Sequence, residues 1–312
     1  MNVLLTGGAG FIGSHIADHL LAAGHDVFVI DNLSSGRRSN VPDGAIFREM
    51  DIRSDDVEAL WAEHKFDTMV HFAAQINVRS SVEDPKNDCD INLMGILNLL
   101  EAGRRHGLKR VVFAGSGGAA FNDDVPFPTP ETVPGEPMSQ YGVAKITSEH
   151  YLRVYHAAYG INYTVMRIGN AYGPRQNPHG EAGVIAIFSK KLLNGETPVI
   201  YGTGLQTRDY VFCEDLARMC VIALEKMNDR IYHAGTGRET NVVQLFETIR
   251  DAVGCDIEAE FQPAKTGEVM RSCLDSSRAK EELGWSPQVT LEEGLGKTVD
   301  FFRRQMSDPD AR

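Results

Sequence analysis

The chain has 312 residues, 42% of them hydrophobic and 24% charged, the make-up of a globular protein with a sizeable core. A net charge of −12 excludes a general nucleic-acid binder, because phosphate backbones demand a basic surface, whereas an anionic small molecule needs only a few local cations. The five cysteines are scattered, no CxxC, HExxH or Cys/His spacing for a metal occurs, and no apolar run reaches membrane-spanning length.

The start, Met1 to Thr6, carries neither a basic stretch nor an apolar one of signal length, so a cytoplasmic protein is expected. Strand-length apolar runs then alternate with helical periods. Val3-Leu4-Leu5 leads through a Gly-rich turn into a helix ending near Gly24. Val27-Phe28-Val29-Ile30 follows, then a helix near 55–64, Thr68-Met69-Val70-His71-Phe72, a helix near 92–106, and Arg110-Val111-Val112-Phe113. A helix near 141–159 precedes Tyr163-Thr164-Val165-Met166-Arg167. Strands apolar on both faces and separated by helices predict right-handed crossovers and a Rossmann-type doubly wound parallel sheet. Past residue 170 the rhythm breaks into Gly- and Pro-rich loops, predicting a smaller, interleaved α/β C-terminal lobe for substrate. A helix near 215–225 and Ile231-Tyr232-His233 are placed to rejoin the sheet. The predicted division is 1–168, with 206–234 rejoining it, for the dinucleotide, and 169–205 with 235–312 for the second ligand.

Directly after the first strand stands Thr6-Gly7-Gly8-Ala9-Gly10-Phe11-Ile12-Gly13. Gly7 permits a tight turn, Gly10 a close approach to a pyrophosphate, and Gly13 close packing of helix on strand, while the helix start offers N–H groups to the phosphates. Asp31, eighteen residues past Gly13, ends the second strand and is followed by Asn32. A carboxylate there accepts the adenosine ribose hydroxyls and repels a 2′-phosphate, so the cofactor is read as NAD although Arg37 and Arg38 are near. Asp51-Ile52, at the end of a predicted third strand, would flank the adenine.

Tyr141 and Lys145 stand four apart at a helix start and so share one face. A phenol ionises near ~10, so acting as a base at neutral pH demands about 4 kcal/mol of preference for phenolate. A nearby ammonium, helped by a positive nicotinamide, is the expected source. Ser116, after the strand Arg110–Phe113, lies at the carboxyl edge where such sheets bind ligands, flanked by Gly115, Gly117 and Gly118.

These motifs, with FAAQ (Phe72, Ala73, Ala74, Gln75) and YGVAK (141–145), resemble the extended short-chain dehydrogenase/reductases. RIGNAYGPRQNPHGEAG (167–183), YGTGLQTRDYV (201–211), HAGTG (233–237) and LGWSP (283–287) narrow the resemblance to the UDP-glucose 4-epimerase group, from end to end. The resemblance implies an isomerase that inverts C4 of a UDP-sugar through a 4-keto intermediate on tightly bound NAD. It makes Tyr141 the base, Lys145 its partner and Ser116 the proton relay. It puts Phe11, Ile12, Phe72, Ala73, Ala74 and Asn92 with the cofactor. It assigns Asn170 and Arg208 to the substrate diphosphate, Tyr201 to the uracil and Glu268 to the uridine ribose. It also sets Ser272 beside the sugar's 2-substituent, where a small residue accompanies tolerance of N-acetyl sugars.

The chain departs from the family pattern at Lys265, where Arg is usual, at Gly115, at Ala144 and at Ile168-Gly169. A nucleotide-sugar dehydratase or decarboxylase is the nearest rival, but Ser116-Gly117-Gly118 lacks the acidic pair a dehydratase uses. A non-catalytic NAD sensor would have lost the Tyr/Lys pair. In relatives the helices near 92–106 and 141–159 pair across a two-fold axis, so a homodimer is expected, with Ile96, Leu99 and Leu100 among the apolar residues of the first helix.

Overall fold

The computed structural model describes residues 1–178, 183–264 and 269–308. Strands β1 (Asn2–Thr6), β2 (Asp26–Asp31), β3 (Ile46–Glu49), β4 (Thr68–His71), β5 (Arg110–Ser116) and β6 (Asn162–Ile168) alternate with six helices. These are α1 (Phe11–Ala22), α2 (Asp56–His64), α3 (Val78–Glu83), α4 (Pro85–Cys89), α5 (Gly95–Arg105) and α6 (Gln140–Tyr159). Then come β7 (Asn170–Tyr172), α7 (Val184–Leu193), β8 (Val199–Tyr201), β9 (Thr207–Arg208), β10 (Tyr210–Phe212), α8 (Cys213–Glu225) and β11 (Arg230–Ala234). The chain closes with β12 (Thr240–Asn241), α9 (Val242–Val253), β13 (Glu260–Gln262) and α10 (Leu291–Ser307).

One seven-stranded sheet runs β11-β6-β5-β4-β1-β2-β3, parallel at every pairing. Its order reverses between β1 and β4, the point where doubly wound sheets open a crevice for ligands. Side chains alternate across the pleat. Val3 and Leu5 face one core with α1 and α8, whereas Leu4, Phe28 and Met69 face the other with α2, α5 and α6. β11 pairs with β6 from Arg230↔Thr164 to Ala234↔Ile168, so the chain returns to the sheet after leaving it. The pairs β7–β10, β9–β12 and β8–β13 lie outside that sheet. A third apolar cluster joins β7, α7, α9 and α10 through Tyr172, Phe188, Phe246 and Leu295.

Helix ends follow local chemistry. Ser139 caps α6 by accepting from the Gly142 N–H, and Gly160 ends it at φ 71°. Asn241 and Gln244 form a capping box on α9. The two short helices α3 and α4 fall where the apolar period predicts nothing. They are written in caps instead: Asn77 accepts from Ser80, and Asp84 accepts from Asn87 with Pro85 at the first helical position. A π-helical turn, Asp90–Met94, then precedes α5 and turns Asn92 inward, 3% exposed. Ile96, Leu99 and Leu100 are wholly buried against the sheet, so they belong to the chain's own core and not to an outer face.

Candidate active site

The turn after β1 is set by its glycines. Gly7 has φ +72°, and a Cβ there would stand 2.6 Å from the Ala73 nitrogen. A Cβ on Gly13 would overlap the Gly7 carbonyl oxygen, so α1 docks on the turn only because position 13 is bare. Gly10 is the N-cap, with no side-chain cap bond. Phe11 and Ile12 open the helix, whose first turn has N–H groups without intrahelical acceptors.

Asp31, the last residue of β2, is 9% exposed and accepts from the Ala9 N–H at 3.0 Å and the Leu33 N–H at 2.9 Å. Burial raises its pKa, and the backbone bonds to Leu33, Ala9 and Gly10 oppose that rise. Asn32 is exposed and donates to Asp51 at 3.0 Å. Asp51 is held well below the usual carboxylate range by hydrogen bonds from Arg53. Both Asp51 and Ile52 lie beyond the end of β3. Ile52 is 5% exposed, and its side chain belongs to the core, where a Cβ on Gly95 would meet its Cδ1 at 2.5 Å. Phe72, Ala73 and Ala74 are half-buried in the loop after β4, tied to β1 by the Phe72 N–H to Thr6 O and the Ala73 N–H to Thr6 Oγ1. Asn92 anchors the same loop: its side chain accepts from the Gln75 N–H and donates to Gln75 O and Asp88 Oδ1, all at 2.9 Å. Its amide is thus engaged within the protein, holding the loop after β4 in place.

At the carboxyl edge, β5 runs further than the apolar period predicts, and Ser116 is its last residue. Tyr141 and Lys145 lie in the first turns of α6. The Ser116 hydroxyl hydrogen-bonds the phenol and favours phenolate, yet burial outweighs it and pushes Tyr141 up to about 12. Lys145 is 4% exposed; its Nζ donates to Ala114 O at 3.0 Å and lies 5.7 Å from the Tyr141 ring centroid. Burial lowers the lysine to about 8, against the raising effect of Asp88 and Glu149. In the protein by itself burial prevails at Tyr141, and the positive nicotinamide expected beside the ammonium would shift the phenol back toward phenolate.

Beneath this set Arg167 and Glu149 form a buried two-bond pair at 2.9 and 2.7 Å. It explains Gly115: a Cβ there would sit 2.9 Å from Val165 Cγ1 and 3.3 Å from Glu149 Oε1. Neither Glu149 nor Asp88 is marked by the sequence pattern, since a helical glutamate and a pre-helical aspartate read as solvated. Burial alone singles them out.

Asn170 starts β7, and its N–H donates to Asp209 O at 2.8 Å. Arg208 is in β9 and donates to its neighbour's Thr207 carbonyl at 2.8 Å. Tyr201 ends β8, half-buried. Ser272 is 8% exposed and lines a recess with Gly117 and Gly118, next to Ser116. Lys265 and Glu268 lie outside the described residues.

A model of the NAD dependent epimerase/dehydratase family matches residues 3–235. The chain belongs to this family. It is 45% identical over 311 residues to the UDP-glucose 4-epimerase of Mycolicibacterium smegmatis, covering 98% of this chain and 99% of that one. The crystal structure of UDP-glucose 4-epimerase from Thermotoga maritima with UDP-glucose is 45% identical, covers 98% of this chain and 100% of its own, and superposes with a TM-score of 0.96. The Thermus thermophilus UDP-glucose 4-epimerase in complex with NAD is 43% identical, with coverages of 97% and 99% and a TM-score of 0.92.

For a member of an NAD-dependent family the question is whether these residues suit the dinucleotide. They do. Gly7 and Gly13 let the turn and α1 close tightly on the strand, and the unpaired N–H groups at the start of α1 suit a diphosphate. Three backbone donors, Leu33, Ala9 and Gly10, engage the Asp31 carboxylate, whose two oxygens offer about four acceptor positions, so one remains for a ribose hydroxyl. Among the described residues no group of three or more His, Cys, Asp or Glu side chains is arranged to hold a metal, and no helix is long and apolar enough to cross a membrane.

Proposed function

We propose that this chain is a UDP-sugar 4-epimerase acting on the UDP-glucose/UDP-galactose pair and, through the small Ser272, on the N-acetylated pair as well. The observation that carries the reading is the meeting of Ser116, Tyr141 and Lys145 beside the glycine turn, in a chain similar over its whole length to UDP-glucose 4-epimerases. When bound, NAD supplies a reversible hydride acceptor for the sugar C4 and a positive nicotinamide charge. Tyr141 takes the 4-hydroxyl proton, and Ser116, hydrogen-bonded to the phenol, relays it. Lys145 holds a positive charge near both. Asn170, Arg208, Lys265 and Glu268 bind the nucleotide diphosphate and ribose, and Tyr201 packs on the uracil. Tyr141 would return its proton to the 4-oxygen, and with the hydride restored to the opposite face of C4 the inversion would be redox-neutral overall.

In this reading residues 1–168 and 206–234 hold the dinucleotide, and 169–205 with 235–312 hold the nucleotide sugar. The enzyme works in the cytoplasm as a homodimer. Exposed apolar residues on adjoining helices, Val78, Val82, Val143, Val154 and Tyr159, support the dimer. A one-chain mass in light scattering at micromolar protein would overturn it. A dehydratase is disfavoured because Gly117 and Gly118 supply no second acid or base. Proton NMR of the purified protein with UDP-glucose, then with UDP-N-acetylglucosamine, should reveal the anomeric signal of the 4-epimer in each case. Spectra unchanged with UDP-glucose, or an unsaturated or decarboxylated product from any UDP-sugar, refute the activity.

A further inference from the structure

Asp209, the residue between β9 and β10, is wholly buried, and two distant segments bond to its carboxylate. From the loop after β11, the Thr236 N–H and hydroxyl donate to Oδ1 at 2.8 and 2.5 Å, and the Gly237 N–H donates to Oδ2 at 3.1 Å. From the segment 272–274, between β13 and α10, the Leu274 N–H donates to Oδ2 at 3.2 Å, and the Cys273 thiol lies 4.0 Å from the same oxygen. Gly235 makes room for this convergence: a Cβ there would stand 2.4 Å from Asp209 Oδ2 and 3.0 Å from Leu274 Cβ.

The four N–H and O–H donors fill the acceptor positions of an ionised carboxylate, so none is left for a ligand. Its work is internal. Burial raises its pKa, and the bonds from Thr236, Leu274 and Gly237 oppose the rise. An amide could not replace it, because its NH2 would face donors and leave buried N–H groups without acceptors.

The segment so held forms a wall over the serine loop. Leu274 reaches across to Gly117, where a Cβ would meet its Cδ1 at 2.4 Å, and Ser272 Oγ lies 3.9 Å from the Cβ position of Gly118. Both glycines directly follow Ser116. On the other side of Asp209, Arg208 is its immediate neighbour, and the Asn170 N–H is bonded to its carbonyl at 2.8 Å. One residue thus joins both positions assigned to the nucleotide diphosphate to the wall of the recess beside Ser116.

We infer that Asp209 is a positioning residue that fixes the Ser272–Leu274 wall against the strand carrying Arg208, and so sets where the sugar stands relative to Ser116 and Tyr141. The inference rests on the epimerase reading above. Asp209→Asn keeps the backbone link to Asn170 and alters only the carboxylate. Turnover of UDP-glucose should fall about ten- to a hundredfold, the cost of a misplaced reacting group, while UDP, which lacks the sugar, binds within about threefold of wild type by calorimetry. Amide exchange read by mass spectrometry should quicken at 235–237 and 272–275 and stay unchanged in β1 to β6, a local release that a general loss of stability would not give. Gly235→Ala, whose methyl group would displace the carboxylate, should show the same split and serves if Asp209→Asn does not fold. Turnover within about threefold of wild type, UDP binding weakened as much as turnover, or faster exchange throughout the sheet overturns the inference. If the wild-type protein itself leaves UDP-glucose unchanged, the epimerase reading fails instead, and the exchange pattern still decides whether Asp209 anchors the wall.

Discussion

Tyr141 is the residue on which the chemistry turns, and its surroundings state a condition for activity. Burial holds the phenol at about 12 while Lys145, itself lowered to about 8, spends a hydrogen bond on Ala114 O. A base so placed works only when another cation shares the pocket. Tyr141→Phe should therefore remove about two to four decades of turnover, the usual range for a lost general base, yet leave dinucleotide content intact. Turnover within tenfold of wild type, or loss of the bound dinucleotide, counts against the assignment; NMR rates and chromatography of the denatured protein measure the two.

At the scale of elements, the β1-turn-α1 unit is held by shape. Gly13 has no room for a methyl group because the Gly7 carbonyl occupies it. Gly13→Ala must push α1 off the sheet, which should cost about 1–3 kcal/mol, as overpacking does, and lower the dinucleotide content. Urea midpoints and released cofactor measure both; a midpoint and content equal to wild type would show that α1 has slack. This unit was legible in the sequence because glycine spacing and strand position are local facts. So were the pairs Tyr141/Lys145 and the end of β2 at Asp31. The supports were less legible. α3 and α4 are capped, not periodic, and a π turn spoils the count that would reveal Asn92 as an anchor for Gln75. Glu149 and Asp88 look like surface carboxylates until the fold buries them. Asp209 sits in a string that carried the family resemblance without announcing a role for its carboxylate.

For the molecule as a whole, acid is the natural stress. His15, His71 and His233 are buried, and burial pushes each down to about 3. In the unfolded chain an imidazole takes its proton near ~6.5. Their folded pKa lies below the unfolded one, so between about pH 6.5 and pH 3 the unfolded chain binds more protons. Stability is full above that window and falls as the pH drops through it. Each histidine should cost about 1 kcal/mol between pH 7 and pH 5.5. Denaturant midpoints at those two values check it: a midpoint that does not fall on acidification would mean that these rings are protonated in the native state.

The return of β11 to the edge of the sheet, beside β6, governs how the protein can be made and broken. A ribosome has released β1 to β6 long before the strand that covers β6 is synthesised. Until then the nascent sheet has a bare parallel edge, with α8 absent from the face that Leu216, Met219 and Cys220 later seal. A fragment ending before residue 206 would keep every residue of the glycine turn, and Ser116, Tyr141 and Lys145 too. It would nonetheless be a sticky, unfinished sheet. The catalytic residues lie in the first half of the chain, but the shape that makes them useful is completed only from the second.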